Sequence, residues 1–169
     1  ESCVKYQSYE PKEKNEWYKV YFDFETDTPE YTHRPYLVRF ETEDNEQREF
    51  IGEDCAIEML NNVPNKKNMM LIAHNANYDC RFLLKYLSQE RSIVKGGRFL
   101  STQATFYRNE DKKQPIKIKI KDSCKLIPMQ SKEFGKSFKL DVKKDIMPYK
   151  IYTQVNIKRV YIPILEAIH

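Results

Sequence analysis

The 169-residue chain contains no apolar run near the ~20 residues a bilayer-spanning helix requires, no secretory signal pattern, no internal repeat and no low-complexity segment. With 40% apolar and 32% charged residues, a soluble globular mixture with no membrane partner is the expectation. Cysteine is sparse and scattered: Cys3, Cys55, Cys80 and Cys124 include no C-x-x-C pair, so there is no signature of a zinc site or a dithiol redox motif. Reduced thiols in an intracellular protein are the default expectation, with a compartment the sequence does not encode. Charge of one sign is also scarce. The net charge of +4 is too small an excess to name a polyanionic partner by itself.

Aromatic residues are plentiful. Twelve tyrosines and nine phenylalanines stand beside 29 Lys and Arg, a mixture that suits stacking on single-stranded bases and equally suits an ordinary aromatic core. The length fits one domain with a proper core and is short for two.

The most informative stretch is Tyr21-Phe22-Asp23-Phe24-Glu25-Thr26. In a strand, successive side chains alternate, so Asp23 and Glu25 share one face and Phe22 and Phe24 the other. Their Cα atoms would lie about 6.5 to 7 Å apart, close enough for both carboxylates to converge on divalent cations that offset their repulsion. An edge strand with a solvated acidic face is the alternative.

Residues 1–15 read as a polar lead-in or linker. The first strand is expected from Glu16 to Phe24, a second from Tyr36 to Thr42 and a third from Arg48 to Ile51, forming an antiparallel meander. Asp54 is placed to cap a helix that ends before Pro64. The run Met69-Met70-Leu71-Ile72-Ala73 has the continuous apolar character of a buried strand. A helix between an outer and a buried strand implies a crossover, so the sheet is mixed and this strand runs parallel to the first.

His74-Asn75-Ala76-Asn77-Tyr78-Asp79 then leads into a helical pattern carrying Phe82, Leu83, Tyr86 and Leu87. A helix that begins near Asn75 places Asn75 and Asp79 on one face, at the end of a buried strand where open α/β sheets bind ligands. Alternatively, Asn75 or Asn77 is only a cap and Asp79 only complements the helix dipole. A short strand at Ser92 to Lys95 and a hairpin of Leu100–Arg108 with Ile116–Lys121 follow. Gln130 to Phe138 has the pattern of a short basic helix weakened by Gly135.

Asp23-Phe24-Glu25-Thr26, His74-Asn75-Ala76-Asn77-Tyr78-Asp79, and Asp122-Ser123-Cys124-Lys125-Leu126-Ile127-Pro128 with the Lys132–Phe138 segment after it are together similar to the 3′–5′ exonuclease domain of family B DNA polymerases. The protein-primed branch of phages, adenoviruses and linear plasmids resembles them most. The resemblance runs from about Val20 to Tyr149. It implies an α/β, ribonuclease-H-like mixed sheet with flanking helices and an inserted β-hairpin.

The resemblance also implies two-metal phosphodiester hydrolysis, with Asp23, Glu25 and Asp79 holding Mg²⁺ or Mn²⁺, the hard cations that oxygen ligands favour. Thr26, His74, Asn75, Tyr78 and Ser123 would contact the frayed 3′ end of single-stranded DNA. Lys144, with Lys143 as the alternative, would contact the scissile phosphate, although an ordinary solvated lysine is an equal reading for either. Cys124 departs from the leucine the family usually carries.

The family's third motif, Tyr-x-x-x-Asp on a later helix, has no acceptable counterpart. The literal match Tyr107-Arg108-Asn109-Glu110-Asp111 falls in the hairpin turn. The expectation is therefore an incomplete exonuclease domain over residues 16–149, with 150–169 leading towards the missing motif. The polymerase domain would lie in the same full-length chain, with a terminal protein as a further candidate partner. A free-standing exonuclease and a non-catalytic single-strand-binding module of the same fold are the competing readings.

Overall fold

A computed structural model describes residues 16–27, 33–95, 98–108 and 114–140. Strand β1 (Tyr18–Asp27) buries Val20, Phe22 and Phe24 while Lys19, Tyr21 and Asp23 stay exposed and Glu25 is half-buried. This is the period-2 alternation of a strand with one apolar and one wet face. It pairs antiparallel with β2 (Arg34–Thr42), which pairs antiparallel with β3 (Gln47–Ile51). The expected meander is present.

Helix α1 (Cys55–Asn62) buries Cys55, Ala56, Met59 and Leu60, and Asp54 occupies its N-cap position without a side-chain capping bond. The chain then crosses over into β4 (Asn68–Ala73), which lies parallel to β1. Helix α2 (Ala76–Leu84) follows, then β5 (Ser88–Lys95), β6 (Arg98–Tyr107) and β7 (Pro115–Asp122). The described strands form one mixed sheet in the order β3-β2-β1-β4-β7-β6-β5. Its architecture is the α/β, ribonuclease-H-like one. The hairpin β6–β7 is continuous with this sheet, because β7 pairs parallel with β4.

Both helices pack into a single core with the apolar face of the sheet, α1 over β2 and β3 and α2 over β4, β6 and β7. Phe40, Met59, Leu60, Met69, Leu71, Leu83, Ile118 and Ile120 are among the fully buried side chains. Strands β1, β4 and β7 are mutually parallel, so their C-terminal ends lie at the same end of the sheet.

Three sequence expectations change. Helix α2 begins at Ala76, and Asn75 adopts a left-handed conformation with φ 68°, so Asn75 and Asp79 do not share a helical face. Asparagine tolerates this region better than most residues, and the turn between β4 and α2 uses it. Strand β5 starts at Ser88, four residues before the apolar pattern signals it, because pairing with β6 extends it through polar residues. The segment after Pro128 is a 3₁₀ turn at Ser131–Glu133 followed by a four-residue helix α3 (Phe134–Ser137). The lead-in 1–15, Lys143, Lys144 and the segment 150–169 lie outside the described residues.

Because Leu71 is fully buried on a strand flanked by β1 and β7, Leu71→Ala is expected to cost about 2–5 kcal/mol. The measurement is a denaturant midpoint at constant slope, with Ile51→Ser, at a 59% exposed position, staying within about 0.5 kcal/mol.

Candidate functional site

The site forms where β1 outruns its neighbour. Pairing of β1 with β4 stops at Tyr21 and Ile72, so Asp23, Phe24 and Glu25 continue beyond it with only β2 alongside. The chain leaving β4 turns into α2 and brings Asp79 into the gap. The backbone N–H of Phe24 donates to Asp79 Oδ1 at 3.3 Å, in a buried position. A ladder donor that lost its strand partner is satisfied by a carboxylate.

Asp79 is only 3% exposed. Its carboxyl is pushed up to about 7, first by burial and then by the like charge of Asp23, with a smaller contribution from Glu25; the Phe24 N–H and its own backbone N–H oppose the rise. Three acids from two elements thus share one electrostatic neighbourhood. Among the described residues, no three His, Cys, Asp or Glu side chains are gathered tightly enough to hold a metal ion as they stand. The donor chemistry nevertheless fits a hard divalent cation: the oxygens are carboxylate, and the charge that lifts Asp79 is of the sign a cation would offset.

Beside the acids runs a chain of hydroxyls. Thr26 Oγ lies 2.6 Å from the Tyr78 hydroxyl, which lies 2.8 Å from His33 Nδ1. The Tyr78 ring packs edge-on against Phe82, which packs against Phe24, and Arg81 stands over its face at 4.9 Å. Core aromatics therefore fix the ring that presents the hydroxyl.

On the other side, a clamp ties the ends of β4 and β7 together. Asp122, 7% exposed, accepts the backbone N–H groups of Asn75 and Cys124 on one oxygen, each at 3.0 Å. His74 Nε2 lies 2.7 Å from the Met129 carbonyl, which can only accept, so this nitrogen carries a proton; Nδ1 lies 3.1 Å from Ser123 Oγ. Ser123 also reaches the Ala73 carbonyl at 3.2 Å, and the His74 ring meets Phe134 edge-on. Both His74 nitrogens and the Ser123 hydroxyl are engaged within the protein. Asn75, by contrast, is exposed. It lines an open groove of about 590 Å³ with His74, Cys124, Met129 and Gln130.

Thr26, Tyr78 and the three acids fall on one flank of the β4–α2 turn, and His74, Asn75 and Ser123 on the other. Sequence reasoning missed His33, Arg81 and the anchoring role of Asp122. Asp122 stands next to a residue that was singled out. His33 carries no periodicity or spacing signal, and its partner Tyr78 is 45 residues away.

The raised carboxyl of Asp79 has a signed consequence. The folded chain holds a proton at Asp79 up to about pH 7, whereas an unfolded aspartate loses it near 3.9. The folded state thus binds more protons across that window, so this group's contribution to stability falls as pH rises from about 4 to 7 and the full penalty stands above it. In metal-free solution Asp79→Asn is expected to remove that fall, raising stability at about pH 8 by a few kcal/mol while changing little at about pH 4. Chemical denaturation at both pH values measures it.

The family model described as DNA polymerase type B, organellar and viral, matches residues 61–163. No curated protein sequence matches the chain. Among solved structures, the fold is similar to phi29 DNA polymerase in its ternary complex with primer-template DNA and incoming nucleotide. The TM-score is 0.66 at 21% identity, over 90% of this chain and 28% of that one. The phi29 polymerase complexed with single-stranded DNA gives a TM-score of 0.62 at 21% identity, over 79% of this chain and 26% of that one. The chain thus spans little more than a quarter of the polymerases it resembles in fold. With more than half of its residues matched by the family model, the chain belongs to the organellar and viral type B DNA polymerases.

Proposed function

We propose that this chain carries the 3′–5′ proofreading exonuclease domain of a protein-primed polymerase, hydrolysing the 3′-terminal phosphodiester of single-stranded DNA. The observation that supports this most is the meeting of Asp79 with Asp23 and Glu25 at the end of the parallel strands, with its carboxyl raised to about 7. Like charges are costly to crowd at a buried position, and such perturbed acids concentrate at functional sites.

Asp23, Glu25 and Asp79 would hold Mg²⁺ or Mn²⁺, which would supply an activated water and a stabilised leaving oxygen. The Phe24 N–H fixes one oxygen of Asp79 and so its orientation. Thr26 and Tyr78, hydrogen-bonded to each other, place two hydroxyls beside the acids for the terminal nucleotide. Asn75 would contact the strand directly, and His74 and Ser123 would hold the wall on which it lies. Lys144 or Lys143 would meet the scissile phosphate.

In this reading residues 16–149 are the exonuclease domain without its third motif, 1–15 a linker and 150–169 the approach to that motif. The polymerase domain and a terminal protein are the partners, in whichever compartment the host of a virus, plasmid or organelle element provides.

The test uses 5′-labelled single-stranded DNA with Mg²⁺ or Mn²⁺, comparing this chain with one extended by the natural sequence that follows. A 3′ ladder from the extended form, faint or missing from the 169-residue chain and abolished by Asp23→Ala with Glu25→Ala, is expected. Equal cleavage by the double variant overturns the reading. If no ladder forms in either while DNA binding persists, the non-catalytic module replaces it.

Cation binding gives an independent measurement. Mg²⁺ or Mn²⁺ should raise the melting temperature more at about pH 8 than at about pH 5.5, since a cation competes with protons for the acids. The double variant should lose that rise.

A further inference from the structure

Arg39 stands on the middle one of three antiparallel strands, with an acid to either side. In the register of β1 with β2 it faces Asp23, and in the register of β2 with β3 it faces Glu49. The adjoining pairs, Phe22 with Phe40 and Phe24 with Val38, are buried. By alternation Asp23, Arg39 and Glu49 therefore form one row across the opposite face of the sheet, and all three are exposed. One guanidinium is offered two carboxylates, and opposite charges attract across a strand pair in either direction.

The bonds run one way. Arg39 Nε and Nη2 both donate to Glu49 Oε2, at 3.2 and 2.8 Å. These two nitrogens form one edge of the planar guanidinium fork, and that edge is turned towards β3, on the far side of β2 from β1 and Asp23.

We propose that Glu49 anchors Arg39 on the β3 side and so keeps its guanidinium from competing with a divalent cation for Asp23. The inference rests on the exonuclease reading, in which Asp23 is a metal ligand. Glu49 is a positioning residue that acts through Arg39.

The competition is worth preventing because an arginine is charged at every working pH and matches a carboxylate well. Swung onto Asp23, it would set a fixed positive charge about 5 Å from a dication, enough to weaken cation binding about three- to fivefold after salt screening. The charge of Glu49 itself acts from two strands away, about 9.5 Å. That exceeds the screening length at physiological salt, so its loss alone accounts for less than about twofold. The Arg39 and Glu49 side chains are 69% and 37% exposed, and exposed ion pairs contribute little to stability. The role is therefore read in cation affinity, not in the melting of the sheet.

The experiment measures the Mn²⁺ dissociation constant from the electron paramagnetic resonance signal of unbound Mn²⁺. It uses a single pH of about 8 and about 0.15 M salt, so that no titration enters, on the 169-residue chain, Glu49→Ala, Arg39→Gln and the double variant. Glu49→Ala should bind Mn²⁺ about three- to fivefold more weakly. Arg39→Gln should bind at least as tightly as the unmodified chain. Adding Glu49→Ala to Arg39→Gln should change the affinity by less than about twofold, because no guanidinium is left to release. Melting temperatures in EDTA should agree within about 3 °C across the four proteins.

Equal weakening by Glu49→Ala in both backgrounds would overturn the inference in favour of charge acting through space. Unchanged affinity in Glu49→Ala would overturn it outright, and weakening accompanied by a larger fall in melting temperature would replace it with a structural role. If the unmodified chain binds no Mn²⁺, the reading of Asp23 as a metal ligand fails first and the inference falls with it.

Discussion

The bond from the Phe24 N–H to the buried Asp79 carboxylate holds the site together. It joins the strand that bears two acids to the helix that bears the third, across 55 residues of sequence. Its value lies less in its net strength than in what its loss would leave. A backbone donor without a strand partner and a carboxyl 3% exposed would both be stranded, and an unsatisfied buried polar group costs more than a typical hydrogen bond gains. The gap that creates this need comes from topology. Strand β4 stops pairing with β1 at Tyr21 and Ile72, and α2 fills the opening.

Two different devices hold the flanks of that opening. On the β1 side, aromatic packing does the positioning: Phe24, Phe82 and Tyr78 form an edge-to-face series that carries the hydroxyl pair outward from the core. On the β7 side, polar bonds do it, with Asp122 gathering two backbone N–H groups and His74 spanning Ser123 and Met129. The contrast follows burial. The first flank is continuous with the core cluster, while the second lies over short 3₁₀ turns with no buried residues of their own, where hydrogen bonds must supply the order that packing supplies elsewhere.

The parts that the sequence made legible are those governed by short-range periodicity. Alternation in Tyr21–Thr26 put Asp23 and Glu25 on the wet face, the apolar run Met69–Ala73 marked β4, and the crossover between them followed from the intervening helix. What escaped was set by pairing and by single dihedrals. Polar Ser88–Arg91 joins β5 because β6 offers it a ladder, and no local propensity registers that. Asn75 leaves the helix for a left-handed turn, which spacing alone reads as one more helical residue. At the site, the motif residues were found but their engagement was not: His74 and Ser123 spend their polar atoms on each other and on nearby carbonyls, and His33 enters through a contact 45 residues distant. Lys144 and its alternative Lys143 lie outside the described residues, so their contact with the scissile phosphate rests on the resemblance alone.

Stability and chemistry pull against each other at one position, and the fold resolves the conflict by distance along the sequence. Asp23 and Glu25 are only two residues apart in sequence, so they are neighbours in the unfolded chain as in the folded one and their mutual repulsion costs folding little. Asp79 is different: its encounter with them exists only after β4 and α2 have docked. The cost of that encounter appears as the carboxyl raised to about 7, and the shared core of β1, β4, α1 and α2 must carry it whenever no cation is bound. A site built this way is tied to the integrity of the sheet. Any change that loosens β4 from β1 relieves the repulsion and dismantles the site together, so the arrangement of the acids depends on the core beneath them.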